Sequence, residues 1–143
     1  MRFLLLLPTL FLSACAFATQ VGPAAQDRTP TIIGEGAVPS NEILIYRAGE
    51  VGLITNVATT PAILLDGRAI GTCRIGHPLV LKVPSGTWEI TALTQNGKVV
   101  QEVTVGEGDR ANLRCGTSSA PSLSPAPTLA RVDAATADRE SGL

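Results

Sequence analysis

An all-β fold, a small antiparallel β-sandwich of about seven strands, is what this chain predicts, and three observations carry it. Between residues 41 and 116, short apolar runs alternate with polar residues at period two. The runs are separated by Asp66-Gly67, Asn96-Gly97 and Pro84-Ser85-Gly86, which suit tight turns and corners. Nothing in that region needs a helix.

The opening strand starts at Glu42 and ends in Tyr46-Arg47. Asp66-Gly67 then joins a strand over 62–65 to one over 68–74, since both residues accept the positive φ of a hairpin turn. Leu79, Leu81 and Val83 alternate with Val80 and Lys82, which makes a half-buried strand. After the Pro84 corner, Trp88, Ile90 and Ala92 alternate with Glu89 and Thr91, placing Trp88 in the core as the one large side chain available to fill it. Asn96-Gly97 turns that strand, 87–94, into the next, 98–105. Gly106-Glu107-Gly108-Asp109 leads into the last, where Ala111, Leu113 and Cys115 share the inward face.

The flanks read differently. Residues 15–40 hold Pro23, Pro30 and Pro39 with three glycines and no sustained period, the composition of a flexible tether; Thr31-Ile32-Ile33 is its one candidate edge strand. Residues 117–143 begin with a Ser/Pro/Ala-rich stretch and are expected to be a disordered tail, with at most a marginal helix over the Ala-rich part.

At the start, Arg2 precedes an apolar block from Phe3 to Leu12 that is short for a bilayer span, and Leu12-Ser13-Ala14-Cys15 follows. This resembles the lipobox of bacterial lipoproteins. The resemblance implies a signal peptide over 1–14, cleavage between Ala14 and Cys15, and diacylglycerol and acyl chains such as palmitate on Cys15. The alternative is an ordinary signal peptide with a bystander cysteine. Acyl burial of about 0.8 kcal/mol per methylene makes several chains a permanent anchor. Ala16, where Asp would imply retention at the inner membrane, implies the outer membrane by similarity to lipoprotein sorting, with the domain facing the periplasm or the surface.

Cleavage leaves 129 of the 143 residues, one domain of ordinary size with tails. It leaves 10 basic against 12 acidic residues with no block of either sign, so a nucleic-acid partner is excluded. Only Phe17, Tyr46 and Trp88 remain as aromatics, too few for a platform that stacks bases or sugars. With Cys15 assigned to lipid, Cys73 and Cys115 remain as an even pair, which in an exported chain suggests a disulfide worth about 4 kcal/mol. Two buried free thiols, or a metal or catalytic role for Cys73, are the alternatives.

The stretches Tyr46-Arg47, Ile63-Leu64-Leu65-Asp66-Gly67-Arg68-Ala69-Ile70-Gly71 and Pro84-Ser85-Gly86-Thr87-Trp88-Glu89-Ile90 resemble a bacterial lipoprotein family classed as a domain of unknown function, and are similar to PEGA-type surface modules. The resemblance covers about residues 42–115. It implies a sandwich of immunoglobulin or transthyretin kind and an envelope address, and it supplies no catalytic residues.

Catalytic constellations are missing from the sequence. The single histidine, His77, precedes Pro78 and reads as an exposed loop residue, which leaves a serine or cysteine nucleophile without a base. Cys73 and His77 lack a second pair of metal ligands. The carboxylates Glu42, Glu50, Asp66, Glu89, Glu102, Glu107 and Asp109 fall on outward faces or turns. Arg47, Arg68, Arg74, Arg110 and Arg114 read either as a carboxylate-binding surface or, preferentially, as partners of Glu89 and Glu102 in cross-strand ion pairs.

The expectation is therefore a non-catalytic, lipid-anchored cell-envelope lipoprotein without cofactor or metal. Its partners are the membrane, through the lipid, and envelope proteins or cell wall. The alternatives are a sandwich that binds a ligand or peptide, or an accessory lipoprotein of a secretion machine.

Overall fold

The computed structural model describes residues 31–32, 40–49, 60–118 and 125–142. Among the described residues nine strands and one helix follow in chain order: β1 (Thr31–Ile32), β2 (Glu42–Tyr46), β3 (Ala62–Leu65), β4 (Arg68–Thr72), β5 (Leu79–Lys82), β6 (Gly86–Thr94), β7 (Gly97–Val105), β8 (Arg110–Thr117), β9 (Pro127–Val132) and α1 (Ala134–Ser141). They form a sandwich of a five-stranded sheet, ordered β1-β5-β2-β8-β9, and a four-stranded sheet, ordered β4-β3-β6-β7. The seven strands read from the periodicity are β2 to β8, and the Thr31-Ile32 edge strand is present as β1.

Most neighbours are antiparallel, as hairpins require, but β2 runs parallel to β8 in the register Ile43↔Ala111, Ile45↔Leu113, and β1 runs parallel to β5. A parallel pair needs a long crossover. For β2 and β8 that crossover contains the whole four-stranded sheet, so the opening and closing strands of the core lie side by side and zip the domain shut.

The core lies between the sheets. Ile43, Ile45, Leu81, Val83, Ala111, Leu113 and Cys115 face Ile63, Leu65, Cys73, Ile90, Ala92, Val103 and Val105, all buried. Cys73, just after β4, is bonded to Cys115 of β8 with Cα atoms 6.1 Å apart, so the bridge joins the two sheets. Trp88 departs from its expected place: it is half-buried against the rim of the core, and its Nε1 donates to Pro84 O at 3.1 Å. An indole keeps a polar edge that needs a partner, and the corner carbonyl supplies it at the rim.

Turns follow their local chemistry. Asp66 (φ 47°) and Gly67 (φ 76°) form the β3–β4 turn. The β6–β7 turn differs by one residue from the expected Asn96-Gly97: Thr94 pairs with Gly97, so Gln95 and Asn96 make the turn and Gly97 opens β7 at φ 151°, a value that suits glycine.

The expected disordered tail is the main correction. Its first part, residues 119–124, lies outside the described residues, but Pro127–Val132 adds to β8 as β9, in the register Cys115↔Leu129. Ser118 and Ala126 close its base through Ser118 N donating to Ala126 O at 2.8 Å. Pro127 and Leu129 are its only buried residues, and they suffice because the ladder supplies the rest through backbone hydrogen bonds. Asp133 then caps α1, its carboxylate accepting from Thr136 N at 2.9 Å, and Gly142 ends it.

Candidate functional site

The outer face of the five-stranded sheet is built on β2. Its burial is continuous rather than alternating: Ile43 and Ile45 enter the core while Leu44 and Tyr46, 0 % and 2 % exposed, point outward and are covered by α1. Ala137 of the helix, with Val80 and Val132, completes this second apolar cluster. Tyr46 OH donates to Glu140 Oε2 at 2.7 Å. Burial first, and then that hydrogen bond to a carboxylate, push the Tyr46 phenol up to about 12, so it remains a donor throughout the ordinary pH range. The Asp133 carboxyl is held below its usual range, chiefly by the Thr136 backbone N–H.

The five arginines do not converge. Arg110 pairs with Asp138 and Arg114 with Glu140 at 3.3 Å, both acids on α1. Arg47 continues β2 with the parity of Ile43 and Ile45, is 7 % exposed and donates from Nη1 to Cys73 O at 3.4 Å. Arg68 and Arg74 are exposed. The expected ion pairs to Glu89 and Glu102 are not among those of the described residues. Arg110 and Arg114 belong to the five-stranded sheet, whereas Glu89 and Glu102 lie directly opposite each other on β6 and β7 of the other.

Arg47 borders two hollows. One, of about 290 Å³, is lined by Arg47, Arg114, Cys115, Thr117 and Thr128. The other, of about 240 Å³, has Tyr46, Ile75, Arg139 and Glu140 in its wall. The remaining acids are spread out. Glu42 takes Lys82 Nζ at 2.6 Å; Asp66 Oδ1 accepts from Glu89 N; Asp109 Oδ2 accepts from Gly106 N within its own turn. Glu107 is exposed, as is His77, whose backbone N–H donates to Arg74 O. Among the described residues no three of His, Cys, Asp and Glu gather as metal ligands, and no helix is long and apolar enough to cross a membrane. Ala14, Cys15 and Glu50 lie outside the described residues.

Sequence reasoning missed Asn41. It is 0 % exposed; its Nδ2 donates to Ser85 Oγ at 2.9 Å, its Oδ1 accepts from Gly108 N at 2.7 Å and its carbonyl accepts from Val83 N. One side chain thus ties the Pro84 corner to the Gly-rich turn before β8. Only the three-dimensional meeting of those turns reveals it.

The four-stranded sheet presents the opposite case. Its outer face carries Leu64, Thr91 and Val100 in one row across β3, β6 and β7, with Ala62 and Leu93 in the next. Leu93 and Val100 are 41 % and 42 % exposed, while Thr91 beside them is buried. No known protein family, no curated protein and no solved structure matches this chain.

Proposed function

We propose that the protein is a non-catalytic lipoprotein of the cell envelope, anchored in the outer membrane through lipid on Cys15, whose sandwich makes protein contacts. The single observation that carries the contact role is the outer face of the four-stranded sheet, where the large apolar side chains of Leu93 and Val100 are exposed on a rigid support. The anchor is supported by Leu12-Ser13-Ala14-Cys15 after the apolar block, and by a disulfide that suits an oxidising compartment. The scatter of its acids, each with a turn or ion-pair role, favours an interaction module over a hydrolase.

Two measurements test the reading. Mass spectrometry of the protein from membranes is expected to give a chain starting at an acylated Cys15, with Cys15→Ala leaving the chain uncut or released from the membrane. An unmodified Cys15 would overturn the anchor. Photo-crosslinking from position 93 in intact envelopes is expected to capture protein, whereas labelling by lipid or water alone would overturn the contact role.

A further inference from the structure

Four strand edges close the two sheets, and three are blunted. β1 has two residues, β4 has five and faces a register shift at Ile63/Leu64, and β9 opens with Pro127. β7 is different. It runs nine residues without proline or register shift, and among the described residues only β6 pairs with it.

The ladder fixes which groups this edge offers. Thr94 and Gly97 flank a two-residue turn and so exchange hydrogen bonds with each other. Alternation along the antiparallel pair then makes Val99, Gln101 and Val103 the residues bonded to β6. The N–H and C=O groups of Lys98, Val100, Glu102 and Thr104 point away from β6, to the open edge. The side chains of the same residues stand on the sheet's outer face and are exposed.

We infer that β7 pairs antiparallel with β7 of a second copy, with Val100 opposite Val100 on the two-fold axis. That register matches hydrogen-bonding residues with hydrogen-bonding residues, and it sets Lys98 of each copy opposite Glu102 of the other. Shifting it by two residues loses both charge pairs, and shifting it by four places Glu102 against Glu102. Within one copy Glu102 already faces Glu89, a like-charge neighbour that costs stability, and the second copy's lysine offsets it. The apolar row Leu64, Thr91 and Val100 becomes continuous across the axis, in one eight-stranded sheet. About six backbone hydrogen bonds form at the seam. Gln101 Nε2, which donates to Glu102 O at 3.2 Å in the single chain, gives up that carbonyl to the second copy's Lys98 N–H.

This inference rests on the contact role proposed for the outer face and names its partner; the anchor and the labelling from position 93 are measured separately. Sedimentation velocity of the full chain in detergent is expected to show a reversible monomer–dimer equilibrium. Lys98→Glu or Glu102→Lys alone is expected to weaken the dimer about tenfold, and the two together to restore it. Both sites are exposed, so an unchanged melting temperature verifies each variant's fold. Val100→Cys is expected to give a covalent dimer on mild oxidation, because directly opposed Cα atoms in such a pair lie about 5.5 Å apart, within disulfide range. Thr104→Cys, far from its symmetry mate, is expected not to. A chain that stays monomeric at all concentrations, charge reversals without effect, or a Val100→Cys that links only to other proteins would each overturn the pairing.

Discussion

The two outer faces of this sandwich carry similar apolar side chains and have opposite fates. On the five-stranded sheet, Leu44 and Tyr46 are sealed under α1, with Arg110 and Arg114 reaching to the helix's acids at its border. On the four-stranded sheet, Leu93 and Val100 face outward and are exposed. The first face satisfies its hydrophobic demand with the chain's own C-terminal segment; the second leaves Leu93 and Val100 exposed. An apolar face therefore states a need for a cover, and only connectivity says whether the chain provides it.

The disulfide that holds both faces on one core carries the largest expected effect. Replacing Cys73 and Cys115 with serine removes a link across 42 residues of sequence and is expected to cost about 4 kcal/mol, read as a drop in denaturant midpoint. Both faces should melt together; separate transitions would mean the sheets are independent.

Next comes the covered face. Leu44→Ala leaves a cavity beneath α1 and is expected to cost about 3 kcal/mol. If the loss is below about 0.5 kcal/mol, the helix is not a cover. Tyr46→Phe removes the hydrogen bond to Glu140 and is expected to cost about 1.5 kcal/mol. Because the folded phenol is raised from 10.0 to about 12, the stability linked to it is complete below pH 10 and disappears as pH rises through 12. Stability curves of the native protein and Tyr46→Phe should accordingly converge over that window. Curves that stay parallel would remove Tyr46 from the account.

The smallest effect is predicted on the open face. Leu93→Ser should change stability by no more than about 0.5 kcal/mol while sharply reducing protein captured from that face. A large loss of stability there would mean that the face is covered after all.

Much of the fold was legible because period two and turn chemistry are local. The alternation of Leu79, Leu81 and Val83, the partition of Ala111, Leu113 and Cys115, and the Asp66-Gly67 turn needed no knowledge of neighbours. The disulfide was legible from parity and compartment together. The C-terminal segment was not, because its composition supplies few apolar groups and most of its anchoring comes from backbone pairing to β8. A signal for its presence existed all the same: Ile43-Leu44-Ile45-Tyr46 is apolar without alternation, the mark of a strand buried on both faces. Read that way, β2 called for a cover on its outer face, and α1 provides it.

By itself the sequence determined the order of β2 to β8, most of their inward faces, the Asp66-Gly67 turn and the identity of the cysteine pair, since each depends on residues within one or two turns of backbone or on parity. Tertiary structure alone decided that β2 and β8 run side by side in parallel, that Asn41 stitches two distant turns, that Arg110 and Arg114 meet acids on α1 rather than Glu89 and Glu102, and which outer face stays open. Those outcomes depend on which surfaces the closed sandwich brings within a few ångströms. Side-chain pairing energies of that kind are fixed by distance in space, which separation along the chain does not encode.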